Sequence, residues 1–146
     1  MAFSKEGATP SNNASEGSIS RSHMLDAPEE LLRRICLGED TAIELKTVAF
    51  QRARIREPSH DDLADEIAAM ANTATGIIVF GVDDRTRQIV GVPLERLDAL
   101  ERLIFEICSD SIRPPVRYKS FRMELPDESG TARPVLKLEV PRSLFV

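Results

Sequence analysis

The chain has 146 residues, 42% hydrophobic and 29% charged, with a net charge of −5. That length suits one domain with a real core, and no apolar run is long enough to span a bilayer. The acidic balance argues against tight, unspecific attraction to polyanions, so a local basic patch or bound divalent cations would have to supply any affinity for nucleic acid.

Residues 1–23 are rich in Ser, Gly, Asn and Ala and have almost no large apolar groups. Such a segment cannot bury enough surface to offset its ordering entropy, so a disordered tail is expected. It is no secretory signal, and Arg21-Ser22-His23-Met24 looks like a vector scar, which makes the tail an expression tag. Residues 24–146 then form the domain. The apolar end Leu144-Phe145-Val146 after a strand suggests a module excised from a longer protein. Cys36 and Cys108 lie within apolar helical patterns and read as a pair of reduced core thiols, which fits a cytoplasmic setting.

Leu31, Leu32 and Ile35 predict a short helix ending at Gly38. Ala42 to Phe50 reads as a strand and Arg52 to Pro58 as a basic loop. Ser59 is a helix cap, with Asp61 and Asp62 in the first turn. Leu63, Ile67, Met70, Ala71 and Ala74 mark one face of that helix, which runs to about Thr73. Gly76 to Val82 is a continuous apolar run, expected as a strand buried on both faces. A turn begins at Asp83-Asp84, and Gln88 to Val90 returns as a short partner strand. Leu94, Leu97, Leu100, Ile104 and Ile107 mark a second long helix. Strands at Val116–Leu125 and Pro134–Val140 follow, joined by a turn around Asp127 to Gly130. The expected fold class is α/β (α+β): a β-α-β-α-β-β mixed sheet with two main helices and a short N-terminal helix.

Residues two apart in a strand share a face, so Glu44 and Lys46 project together, away from Ile43 and Leu45. A carboxylate beside an ammonium is a common solvated pair. It is also the core of a metal-dependent phosphodiesterase site, where the acid holds Mg²⁺ or Mn²⁺ and the lysine stabilises phosphate charge. Glu39 lies in a loop that can fold back towards this strand, or is simply exposed near a helix end. Asp83 and Asp84 sit at the end of the apolar strand, where ligands of α/β sheets gather, or form a plain Asp-rich turn. Glu39 and Glu44, with one of Asp83 and Asp84, could therefore converge as metal ligands, with Lys46 assisting at the phosphate. Arg52, Arg54 and Arg56 in the basic loop, and Arg85 and Arg87 after Asp84, are candidates with Lys46 for nucleic-acid binding. Arg113, Arg117, Lys119 and Arg122 form a further basic group. Each group is ordinary solvated surface unless the fold brings several together. Low aromatic content argues against binding dominated by base stacking.

The pattern as a whole resembles a known family. Gly38-Glu39-Asp40-Thr41-Ala42-Ile43-Glu44-Leu45-Lys46 resembles the opening motif of the Schlafen AlbA_2 family, also called divergent AAA-4. Ala71-Asn72-Thr73-Ala74-Thr75-Gly76 followed by Ile77 to Asp84 resembles its central motif, and Ile89-Val90-Gly91-Val92 follows as in the family. The resemblance implies an Alba-like fold and a nucleic-acid-binding role, with DNA or RNA as partner, in a bacterial regulatory or defence protein. Animal members cleave structured RNA such as tRNA with a three-carboxylate metal site, to which Glu39, Glu44 and Asp83 correspond. That makes a divalent-metal-dependent endoribonuclease the alternative, and a structural or oligomerisation domain the third. The sequence departs from the family in having Thr75-Gly76 where paired glycines are usual. A single copy would have to form a homodimer to clasp a duplex. No P-loop is present, so no ATP site is expected.

Overall fold

The structure is a computed structural model that describes residues 27–37, 43–73 and 75–143. The N-terminal tail, Glu39 and Ala74 lie outside the described residues. The elements in chain order are α1 (Pro28–Leu37), β1 (Ile43–Lys46), β2 (Ala49–Gln51), β3 (Arg54–Glu57), α2 (His60–Thr73), β4 (Gly76–Phe80), a 3₁₀ turn (Leu94–Arg96), α3 (Leu97–Glu106), a π turn (Ile107–Ser111), β5 (Lys119–Pro126) and β6 (Ala132–Val140). The fold is α+β, with a mixed four-stranded sheet of order β1-β4-β6-β5 and a separate β2–β3 hairpin.

Alternation along the central strands divides the core in two. Ile78 and Phe80 of β4 and Leu136, Leu138 and Val140 of β6 face α2 and α3, meeting Leu63, Ile67, Leu97, Leu100 and Ile104. Ile77, Val79 and Val135 face the other way, where Leu31 and Ile35 of α1 cover them. Every residue of β4 is buried, as its continuous apolar run predicts. Each large aliphatic side chain so buried contributes roughly 1.5–3 kcal/mol of transfer free energy. The α1 face also holds a charged pair: Lys137 and Glu139 of β6 are buried with Nζ and Oε2 3.1 Å apart. The Lys137 ammonium stands 4.8 Å from the centre of the Phe121 ring.

The expected strand over 42–50 is broken. β1 pairs in parallel with β4 from Ile43↔Ile77 to Lys46↔Phe80. The Lys46 carbonyl then accepts the N–H groups of Gly81 at 2.7 Å and Val82 at 3.2 Å, and the chain leaves the sheet for β2. The expected basic loop contains strand β3 instead. Arg54-Ile55-Arg56 alternates, with Ile55 half-buried against the core and both arginines exposed. Ser59 caps α2 as expected, its Oγ accepting the Asp62 N–H at 3.1 Å. The return strand at 88–90 shrinks to one bridge, Val82↔Ile89. Leu94 is 64% exposed, because the 3₁₀ turn shifts it out of phase with Leu97, Leu100 and Ile104. The two cysteines part company: Cys108 is buried, while Cys36 is exposed because it lies off the Leu31–Ile35 stripe of α1.

Candidate nucleic-acid interface

The parallel β1–β4 pair puts both C-terminal strand ends at one end of the sheet. Glu44 and Lys46 lie opposite Ile78 and Phe80, on the α2 side. Lys46 reaches α2, its Nζ 2.8 Å from Glu66 Oε1, with side chains 20% and 36% exposed. Lys46 opens onto a shallow cleft of about 460 Å³, lined also by Thr47, Arg56, Pro58, Ser59, Asp62 and Asp84. The cleft thus mixes Lys46 and Arg56 with carboxylates from the start of α2 and from the turn after β4.

Of the expected acids, Glu44 and Asp83 lie among the described residues. Glu44 is exposed and does not line the cleft. Asp83 Oδ1 accepts the N–H groups of Arg85 at 2.9 Å and Thr86 at 3.0 Å. These backbone bonds, Thr86 first, hold its carboxyl below the usual carboxylate range. Asp83 therefore builds the turn, while its neighbour Asp84 faces the cleft. Among the described residues no three His, Cys, Asp or Glu side chains form a metal-holding group. Glu39, the remaining expected ligand, lies outside them.

The basic residues are better assembled. The β2–β3 hairpin carries Arg52, Arg54 and Arg56, which with Gln51 and Ile55 line a groove of about 390 Å³. Arg56 lines both this groove and the Lys46 cleft, so the two adjoin. Arg52 sits at the hairpin tip with φ 60°, a left-handed conformation unusual for a side chain of its size. Arg96, from the 3₁₀ turn before α3, donates to the Arg52 carbonyl and lies 5.3 Å from the centre of the Phe50 ring. Arg102 of α3 shares another groove with Arg54.

Other basic residues are committed elsewhere or stand apart. Arg122 donates to Glu101 Oε2 at 2.9 Å and to Asp98 Oδ1 at 2.6 Å, which neutralises one member of the expected basic group. Arg85 and Arg87 flank Thr86 in the turn of Asp84, but neither lines the cleft. Sequence reasoning missed Glu66, Asp62, Arg96 and Arg102. Asp62 and Glu66 are four apart on an exposed helix face, a visible signal once α2 is known to lie beside β1.

An α+β domain with a charged cleft at the ends of a parallel strand pair, and a basic hairpin beside it, is the class these features define. The family model for Schlafen, AlbA_2 matches residues 39–145, and the chain belongs to that family. Among solved structures it is similar to the DIP2311 protein from Corynebacterium diphtheriae, at 22% identity over 77% of this chain with a TM-score of 0.46. The chain spans about a quarter of that protein's length, the match covering 25% of it. No helix among the described residues is long and apolar enough to cross a membrane.

Proposed function

We propose that this domain binds nucleic acid through the β2–β3 hairpin and the adjoining Lys46 cleft. The observation that carries the reading is that the two grooves adjoin at Arg56, with Arg52, Arg54, Arg56 and Lys46 along their walls. Such a cluster of cations suits a phosphate backbone, and the hairpin arginines supply locally an attraction that the net charge of −5 withholds. Membership of the Schlafen AlbA_2 family supports the same reading.

The test is fluorescence anisotropy of labelled RNA and DNA across a salt series. Binding should weaken steeply with salt. Replacing Arg52, Arg54 and Arg56 by Ala should weaken it further and flatten the salt dependence by about two counterions, at roughly 0.7–0.9 per phosphate contact. An unchanged salt slope in the triple variant would remove the hairpin from the interface. Cleavage of the probe in Mn²⁺, lost in Glu44→Ala, would instead favour a nuclease.

A further inference from the structure

The groove between the hairpin and α3 has a composition unlike the phosphate track beside it. Ala99, Arg102, Leu103 and Glu106 form an i, i+3, i+4, i+7 stripe on α3 that faces Ala53, Arg54 and Ile55 of the hairpin, with His60 at one side, around a space of about 380 Å³. Its floor is apolar, from Ile55, Ala99 and Leu103, while Arg54, Arg102, His60 and Glu106 supply the polar groups. That volume falls in the range of small-molecule sites, roughly 300–1,000 Å³. An apolar floor with two guanidinium groups at its edge is the wrong surface for a continuous duplex backbone. It suits a flat heterocycle attached to a phosphate.

His60 is held for such a role. Its Nε2 is 3.0 Å from Ser111 Oγ, which anchors one edge of the ring, while Nδ1 lies 3.5 Å from the exposed Asp61 carboxylate and the side chain remains 44% exposed. A ring anchored at one edge and open to solvent can serve as a stacking plate. Unpaired bases stack on histidine and on arginine planes in single-stranded recognition. Arg54 lines both this groove and the hairpin groove, so the pocket adjoins the surface of Arg52 and Arg56. Glu106 offers an acceptor to a base amino or imino N–H.

We infer that this groove accepts one unpaired nucleobase of a single-stranded segment, stacked on His60, with Arg54 and Arg102 on the adjoining phosphates. The inference rests on the nucleic-acid reading above and narrows its substrate class to strands with a free base.

The experiment compares oligo(dT) and oligo(U) of about twelve nucleotides with an abasic phosphodiester of the same length and with a duplex, for the wild-type chain, His60→Ala and His60→Phe. The wild type should prefer the base-bearing strands over the abasic strand by about five- to tenfold, the lower part of the range for stacking on a side chain. The preference should vanish in His60→Ala and return in His60→Phe, with the affinity for the abasic strand equal in all three. Matching circular-dichroism melts establish that the variants fold. Equal wild-type affinity for base-bearing and abasic strands would overturn the inference while leaving the phosphate-tracking hairpin intact. A preference that survives in His60→Ala, or a duplex that binds as tightly as the single strand, would also overturn it. Failure of wild type to bind any strand would defeat the nucleic-acid reading itself.

Discussion

The Lys46–Glu66 pair offers the sharpest test of how the cleft works. Nζ and Oε1 are 2.8 Å apart, and both side chains keep some contact with water, at 20% and 36% exposure. Two unit charges about 4 Å apart attract by about 4 kcal/mol at an effective dielectric of 20, and by about 1 kcal/mol in water. Solvent screening and side-chain entropy bring the net value towards the surface-pair range, about 0.5–1 kcal/mol. A double-mutant cycle of Lys46→Ala and Glu66→Gln, read by urea unfolding, should give a coupling of that size at low salt. At about 1 M salt, where the screening length is about 3 Å, the coupling should shrink. Nucleic-acid binding should respond in opposite directions. Removing the Glu66 charge leaves Lys46 without its internal counter-ion, so Glu66→Gln should tighten binding about two- to fivefold, equivalent to about 0.5–1 kcal/mol. Lys46→Ala should weaken it by a similar factor. If Glu66→Gln weakens binding while stability is unchanged, the carboxylate serves the ligand directly and the counter-ion argument is wrong.

Three further outcomes follow from the packing. Burial pushes the Cys108 thiol up to about 11, whereas Cys36 is exposed; a thiol reagent near pH 8 should therefore modify one cysteine in the native protein and both in denaturant, and rapid native labelling of both would contradict the packing of the π turn. Gly81 has φ +114°, and a Cβ there would meet Val135 Cγ1 at 3.0 Å and the Gly91 backbone at 3.2 Å; Gly81→Ala should cost about 2–3 kcal/mol in chemical denaturation, and a loss under about 0.5 kcal/mol would show that the turn can relax. Asp127 is held far below the usual carboxylate range, by the Ser129 hydroxyl first and then by Arg133, and Asp83 is held down by its backbone bonds. The unfolded chain takes up protons that these folded carboxylates refuse, so their contribution is present above about pH 4 and is lost as pH falls through the lowered values. Asp127→Asn should flatten the fall in urea midpoint between about pH 5 and about pH 3, and an unchanged profile would deny Asp127 that part.

Much of the fold was legible because its signals are local. The all-apolar run Ile77 to Phe80 announces the central strand, and Leu63, Ile67 and Ala71 mark the inner face of α2. The break between β1 and β2 was not legible, because Lys46 ends its strand through bonds from Gly81 and Val82, more than thirty residues away in sequence. The short alternation of Arg54, Ile55 and Arg56 was a period-two signal hidden by its charge. The motif acids show the same limit. Sequence places Asp83 and Asp84 side by side, and only the hydrogen bonds from Arg85 and Thr86 separate the turn former from the residue that faces the cleft. Arg96 belongs to the 3₁₀ turn and Arg102 to α3, and how these elements face the hairpin is set by tertiary packing, so spacing alone could not recruit them.

The family match starts at residue 39, after α1 has ended. Yet Leu31 and Ile35 of that helix are fully buried over Ile77, Val79 and Val135, on the face that also carries Lys137 and Glu139. The packed core therefore extends beyond the segment that matches the family model. Trimming the chain to the matched segment would uncover an apolar sheet face with an ion pair set in it, a combination that invites aggregation. For anyone cutting a minimal domain from this chain, the physical boundary lies before Pro28.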